Sequence, residues 1–274
     1  MTNARDPDPR GPGSLVYVMF RAPSCHNRPM DPDDPESPDI DELFAPLPAA
    51  DAFSVVLSEA HDVLGQVRKP IDAELWGSDM IGALSESASD LPSVMEALAT
   101  TLVPAAEEAA TAESLALLRV FGAVGDAKLR AAATSAADRL AAGGLEDPAW
   151  AANVGAPEPG DCWHYSDVGG RQESITMSFS YGTASHALSV LIDHGRGGKI
   201  KDAWVGDAAG LLAKTRAMAG NDDLVIFETI EVGDARFRLQ RAISAGECPD
   251  QPDQIDDVAA HRALLRARMN RLGD

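Results

Sequence analysis

The chain has 274 residues and carries 23 Lys and Arg against 43 Asp and Glu, which gives a formal net charge of −20. This acidity argues against non-specific nucleic-acid binding, which depends on cationic neutralisation of phosphates. Apolar residues make up 45% of the sequence, so a sizeable core can be buried. No apolar run approaches the ~20 residues needed to span a bilayer, so we expect no membrane partner.

Residues 1–48 are rich in Pro, Asp and Gly, and this composition predicts a disordered acidic arm. Within it, acids alternate with Ile40, Leu43 and Phe44, a pattern typical of a short motif that orders on a partner. The alternative interpretation is a solubilising tail. A short apolar run at 15–20 is either a strand or part of an over-long gene start, which leaves Met1 or Met30 as the true initiator.

Residues 49–152 predict a helical domain. Apolar residues recur at helical spacing over 49–67, 71–84, 90–104, 112–123 and 126–142. Gly77 and Gly82 weaken the second of these helices. The last two helices are separated by only Val124 and Gly125, so we expect them to pack as an antiparallel pair.

Residues 153–161 predict a turn-rich linker, and 156–274 predict an α+β domain. The period changes to two: 163–166 can start a strand, and three strands over 175–181, 187–193 and 199–205 predict an antiparallel meander. A helix over 207–219, a further strand over 224–231 and helices over 234–245 and 255–272 follow. The fold class is therefore α+β: a bundle of short helices, then a small antiparallel sheet packed with C-terminal helices.

Asp193, His194 and Asp202 flank the glycine-rich turn of the meander and are the candidate catalytic residues. If the turn comprises residues 195–198, Asp202 lies opposite Leu191 and both carboxylates share one sheet face. One cation could bridge Asp193 and Asp202, which makes them the candidate metal ligands. The alternative is that both carboxylates bond to nearby groups at the turn. We expect His164, on the strand predicted to start at 163, to be half exposed.

The terminal helix predicted over 255–272 combines an apolar stripe with arginines. We expect the stripe to dock on its own domain and most of the arginines to remain free for an acidic partner. The alternative is that the helix self-associates into a homo-oligomer. The candidate partner-binding residues on this helix are Arg262, Arg266 and Arg268.

No nucleotide-binding, hydrolase or zinc motif occurs in the sequence, so we expect no cofactor. The absence of a secretory signal and of paired cysteines favours the cytoplasm. The leading hypothesis is a protein-interaction module, such as an adaptor, chaperone-like or regulatory protein. The alternative is a metal-assisted hydrolase or phosphate-handling enzyme that uses Asp193 and Asp202.

Overall fold

Helices form the first part of the chain, and a sheet with further helices forms the rest, as the computed structural model shows. The structure describes residues 49–87, 91–220, 222–246 and 258–273. The predictions for 1–48, including the motif at Ile40, Leu43 and Phe44 and the choice between Met1 and Met30, lie outside the described residues. The α+β fold class predicted from the sequence is confirmed.

The helical part follows the predicted periodicity closely. Two of its helix starts carry the side-chain caps that their sequences suggest: Thr111 accepts from the amide of Ser114 at 3.1 Å, and Asp126 accepts from that of Leu129 at 2.8 Å. A π-helical turn over Leu98–Leu102 joins the third and fourth helices. The helices are α1 (Ala49–Leu64), α2 (Pro70–Ser87), α3 (Leu91–Ala97), α4 (Val103–Ala109), α5 (Ala112–Val124) and α6 (Ala127–Ala142).

The glycines of α2 allow close helix packing. A Cβ atom built on Gly77 would lie 2.2 Å from a methyl of Val120 in α5, and one built on Gly82 would lie 2.5 Å from the backbone of Ala259. Gly77 and Gly82 therefore allow neighbouring segments to pack directly against the α2 backbone, and this packing offsets the low helix propensity of glycine.

The sheet has five antiparallel strands in the order β4-β3-β2-β1-β5. The predicted linker is shorter than expected, because Glu158 and Pro159 already pair with β2. The elements are β1 (Glu158–Asp167), β2 (Gln172–Tyr181), β3 (Ala184–Asp193), a 3-10 turn (His194–Arg196), β4 (Lys199–Gly206), α7 (Ala208–Gly220), β5 (Val225–Ile230), α8 (Val232–Gly246) and α9 (Ala259–Arg271).

One sheet face forms a core with α8 and α9. Ile175, Met177 and Val190 on this face are fully buried, with Leu239 from α8 and Leu265 from α9. The opposite face forms a smaller core with α7, in which Trp163, Ala187 and Ala208 are buried. The predicted docking of the terminal helix through its apolar stripe is thus confirmed for the residues described, which begin at Val258.

Arg268 contradicts the prediction that it is free for a partner. Its side chain is fully buried, and its guanidinium donates to the buried carboxylate of Glu74 in α2. It also donates to the hydroxyl of Tyr181 at 3.0 Å and to Nε2 of His186 at 3.3 Å. We call Glu74, Tyr181, His186 and Arg268 the Arg268 cluster. Because a buried carboxylate requires a cation or donors, Arg268 points inward despite its place on a charged helix.

Candidate functional site

Asp193 and Asp202 each accept a hydrogen bond from a nearby backbone amide. Asp202 lies opposite Leu191 as predicted, whereas Asp193 pairs with Lys199 because the register shifts by one residue between them. Asp193 accepts from the amide of Gly195 at 2.9 Å, and Asp202 accepts from the amide of Ala203 at 2.7 Å. These bonds are typical of aspartates at turns. The catalytic and metal-binding roles of the two carboxylates stay predictions.

His194 has a more informative environment than its two neighbouring aspartates. Its Nε2 lies 3.1 Å from one carboxylate oxygen of Glu173, which is almost fully buried on the central strand β2. The other oxygen of Glu173 lies 3.0 Å from Nε2 of His164 and 2.7 Å from Nη1 of Arg238. The second ring nitrogen of His164 lies 3.1 Å from Glu228 on β5. We call these five residues the Glu173 cluster.

The sheet geometry explains why these groups meet. Glu173 is paired with Ser166 on β1 and with Ile192 on β3, so His164 is its diagonal neighbour on the same face, and His194 lies at the start of the turn that follows β3. Long side chains at such diagonal positions are within reach of one another. Arg238 approaches from α8, which covers this face.

In the Glu173 cluster, opposite charges stabilise the ionised forms of Glu173 and His164. Contact with His164, together with Arg238, lowers the pKa of Glu173 to about 2. Contact with Glu173, assisted by Glu228, raises the pKa of His164 above its usual range, although burial opposes this shift. His164 is therefore a buried neighbour of two carboxylates, which favour its protonated form, and not the half-exposed residue that the sequence predicts.

Sequence reasoning missed Glu173, Glu228 and Arg238 as members of one site. The available signal was the alternation of β2, which places Glu173 on the same face as Ile175, Met177 and Phe179. A carboxylate at the end of an apolar face needs partners. Which strands supply them depends on the sheet order, and the sequence does not give that order.

In the parts of the chain that the structure describes, no group of three or more His, Cys, Asp or Glu side chains has the arrangement of a metal site. The Glu173 cluster agrees with this finding, because Arg238 already forms an ion pair with the Glu173 carboxylate that a metal cation would need. Its two carboxylates favour the protonated form of His164, and Glu228 extends the cluster to the sheet edge.

Exposed apolar side chains lie on β5 and at its start. Ile226 on β5 is 42% exposed, and Leu224, immediately before β5, is 65% exposed. Val168, which follows β1 and whose amide donates to the carbonyl of Leu224, is 56% exposed. We call Val168, Leu224 and Ile226 the β5 surface. Large apolar side chains that adjoin one another on a strand edge are a common feature of binding surfaces.

The two edges of the sheet differ in their protection. The β4 edge has an irregular register and carries Lys199, Lys201 and Asp202, which are devices that discourage strand pairing. Within the described residues, β5 pairs only with β1 and keeps a regular register over its full length. Its sequence has no lysine or proline. The β5 edge therefore lacks these protective features, apart from the charge of Glu228.

Comparisons with protein-family models, curated proteins and solved structures find no match for this chain. Among the helices in the described ranges, none combines the length and the apolar character needed to cross a membrane.

Proposed function

We propose that this protein is a cytoplasmic protein-interaction module that binds an extended segment of a partner along β5. The observation that carries the proposal is the regular edge of β5, on which Glu228 is the one charged residue, beside the exposed β5 surface. An edge strand of this kind offers backbone donors and acceptors to an incoming strand, while its exposed side chains provide apolar contacts.

The charge distribution favours a basic partner segment. Residues 222–231 contain Asp222, Asp223, Glu228 and Glu231 but no lysine or arginine, and the whole chain has a net charge of −20. Opposite charges speed association and disfavour partners of like charge. A second copy of this chain is a poorer occupant, because two β5 strands would bring their own carboxylates together.

The proposal is tested by selecting displayed random peptides on the full-length protein and comparing the enriched peptides on two variants. Ile226→Lys places a charge on the β5 surface, where Ile226 is 42% exposed. Val55→Lys is a matched control on α1, where Val55 is 45% exposed. We expect the enriched peptides to combine apolar with basic residues, to bind Val55→Lys normally and to lose binding to Ile226→Lys. Peptides that bind both variants equally, or a selection that enriches none, would contradict the proposal.

A further inference from the structure

Glu228 connects the exposed edge of the sheet with the buried Glu173 cluster. It lies near the middle of β5, its side chain is 53% exposed, and its carboxylate lies 3.1 Å from Nδ1 of His164. The side chain of His164 is only 9% exposed. Glu228 is therefore a surface acid that a buried imidazole contacts from within the sheet.

His164 lies between two carboxylates, whose negative charges favour its protonated form. Nδ1 is hydrogen-bonded to Glu228 at 3.1 Å, whereas Nε2 lies 3.0 Å from Glu173 as an ion-pair contact without hydrogen-bond geometry. The other charged groups around it are Arg238 from α8, which contacts Glu173, and His194 after β3, which contacts the other oxygen of Glu173. Arg238 opposes protonation of His164, whereas the two carboxylates favour it.

We infer that Glu228 determines the partner specificity of the β5 edge by pairing with a lysine or arginine of the incoming strand, and that protonated His164 competes with this residue. The inference rests on the proposed function, since it assigns a chemical preference to the same edge. In a paired sheet, directly opposite residues have Cβ atoms about 4.5–5.5 Å apart, so one basic side chain of the partner would meet Glu228.

The competition gives partner binding a defined dependence on pH. While His164 is protonated, its charge offsets that of Glu228, and an incoming cation gains less. When His164 loses its proton, Glu228 becomes a stronger partner for the cation, whichever ring nitrogen keeps its hydrogen. Lysine stays charged throughout this range, because its unperturbed pKa is about 10.4. Affinity for a basic strand should therefore rise with pH.

The test compares two short synthetic peptides, one of alternating valine and lysine and one of alternating valine and glutamine. Their affinities for the full-length protein are measured by fluorescence anisotropy from about pH 5 to about pH 9, which brackets the unperturbed imidazole pKa of about 6.5. We expect the lysine peptide to gain about two- to fivefold in affinity as pH rises, the range that one exposed ion pair provides. The glutamine peptide should show no such gain.

Three variants separate the role of Glu228 in the preference for lysine from the role of His164 in its pH dependence. Glu228→Gln, a surface change that leaves Glu173 in place, should remove both the preference for lysine and its pH dependence. Glu231→Gln, a neighbouring acid outside β5, should retain both. His164→Gln should keep the preference and lose the pH dependence.

If neither peptide binds, or if Ile226→Lys leaves peptide binding unchanged, the proposed function fails. If both peptides bind at the edge but the preference for lysine survives in Glu228→Gln, the edge remains a binding site and this inference is overturned. A preference that is lost in Glu228→Gln but is independent of pH in the wild type would overturn the role of His164.

Discussion

Arg268 illustrates what a single residue's sequence context leaves open. The arginines of α9 are similar in sequence, yet Arg268 is fully buried, with its guanidinium 5.3 Å from the ring of Phe179 and beside that of Tyr181. Its partner Glu74 lies almost two hundred positions away, in a different part of the fold. Local periodicity identifies which face of a helix is apolar, but it does not identify a distant buried carboxylate.

The first prediction concerns this buried pair. Arg268→Met should lower the free energy of unfolding by about 3–5 kcal/mol, because Glu74 is left as an uncompensated buried charge. The double variant Arg268→Met/Glu74→Gln should lose less than the sum of the two single changes. Arg139→Ala, which breaks an exposed ion pair with Glu107, is the control and should leave the urea midpoint unchanged. A silent Arg268→Met would show that the Arg268 cluster contributes nothing to stability.

The second prediction concerns His186, which lies in the same cluster. Burial, together with the charge of Arg268, lowers the pKa of His186 to about 3. The unfolded chain therefore binds a proton that the folded chain does not between about pH 6.5 and pH 3, and stability falls as pH falls through this window. One such proton corresponds to at most about 1.4 kcal/mol per pH unit.

Urea melts at a series of pH values test the role of His186. His186→Gln, which retains an acceptor for Arg268, should show a shallower loss of stability than the wild type between about pH 6 and pH 4. An identical slope in both proteins would mean that His186 is not the group that titrates. Glu173, whose pKa is also lowered, contributes with the same sign only below its unperturbed pKa of about 4.3.

At the scale of elements, periodicity predicted most of the fold. The bounds of α5 and α6 and the strands of the meander follow directly from apolar spacing and from caps such as Asp126. The position of β5 beside β1 was not predictable in this way, because it depends on a connection through α7 across the sheet. For the same reason, neither the β5 edge nor the contact between Glu228 and His164 could be read from the sequence.

The third prediction tests the docking of α9. Leu265 is 1% exposed and packs in the core beneath the sheet. Leu265→Ala should therefore lower the free energy of unfolding by about 2–5 kcal/mol, as cavity-forming changes do. Asn270→Ala, an exposed position on the same helix, should change it by no more than about 0.5 kcal/mol. Equal midpoints for the two variants in urea would place the apolar stripe at the surface.

At the scale of the whole molecule, α9 joins the two halves of the described chain. Ala263 and Leu264 pack in the helical core, whereas Leu265 and Met269 pack beneath the sheet. The independent folding of 49–152 and 156–274 stays a prediction from the linker sequence. Since α9 contributes to both cores, we expect the full chain to unfold in one cooperative transition.

Calorimetry of the full chain and of the fragment 156–274 tests this fourth prediction. One transition in the full chain, with a calorimetric enthalpy equal to its van't Hoff enthalpy, would show that the halves depend on each other. Two separate transitions, together with a cooperative transition in the fragment, would instead show the independent domains that the linker predicts.

The most direct test of binding at β5 is amide hydrogen exchange of the full-length protein with and without the alternating valine–lysine peptide. A partner strand that pairs with β5 must protect edge amides of Val225–Ile230, while those of Lys199–Gly206 on the opposite edge keep their rates. Binding at β5 predicts protection that is confined to β5 and absent in Ile226→Lys. Protection at β4 or in the helical half without any at β5 would contradict it.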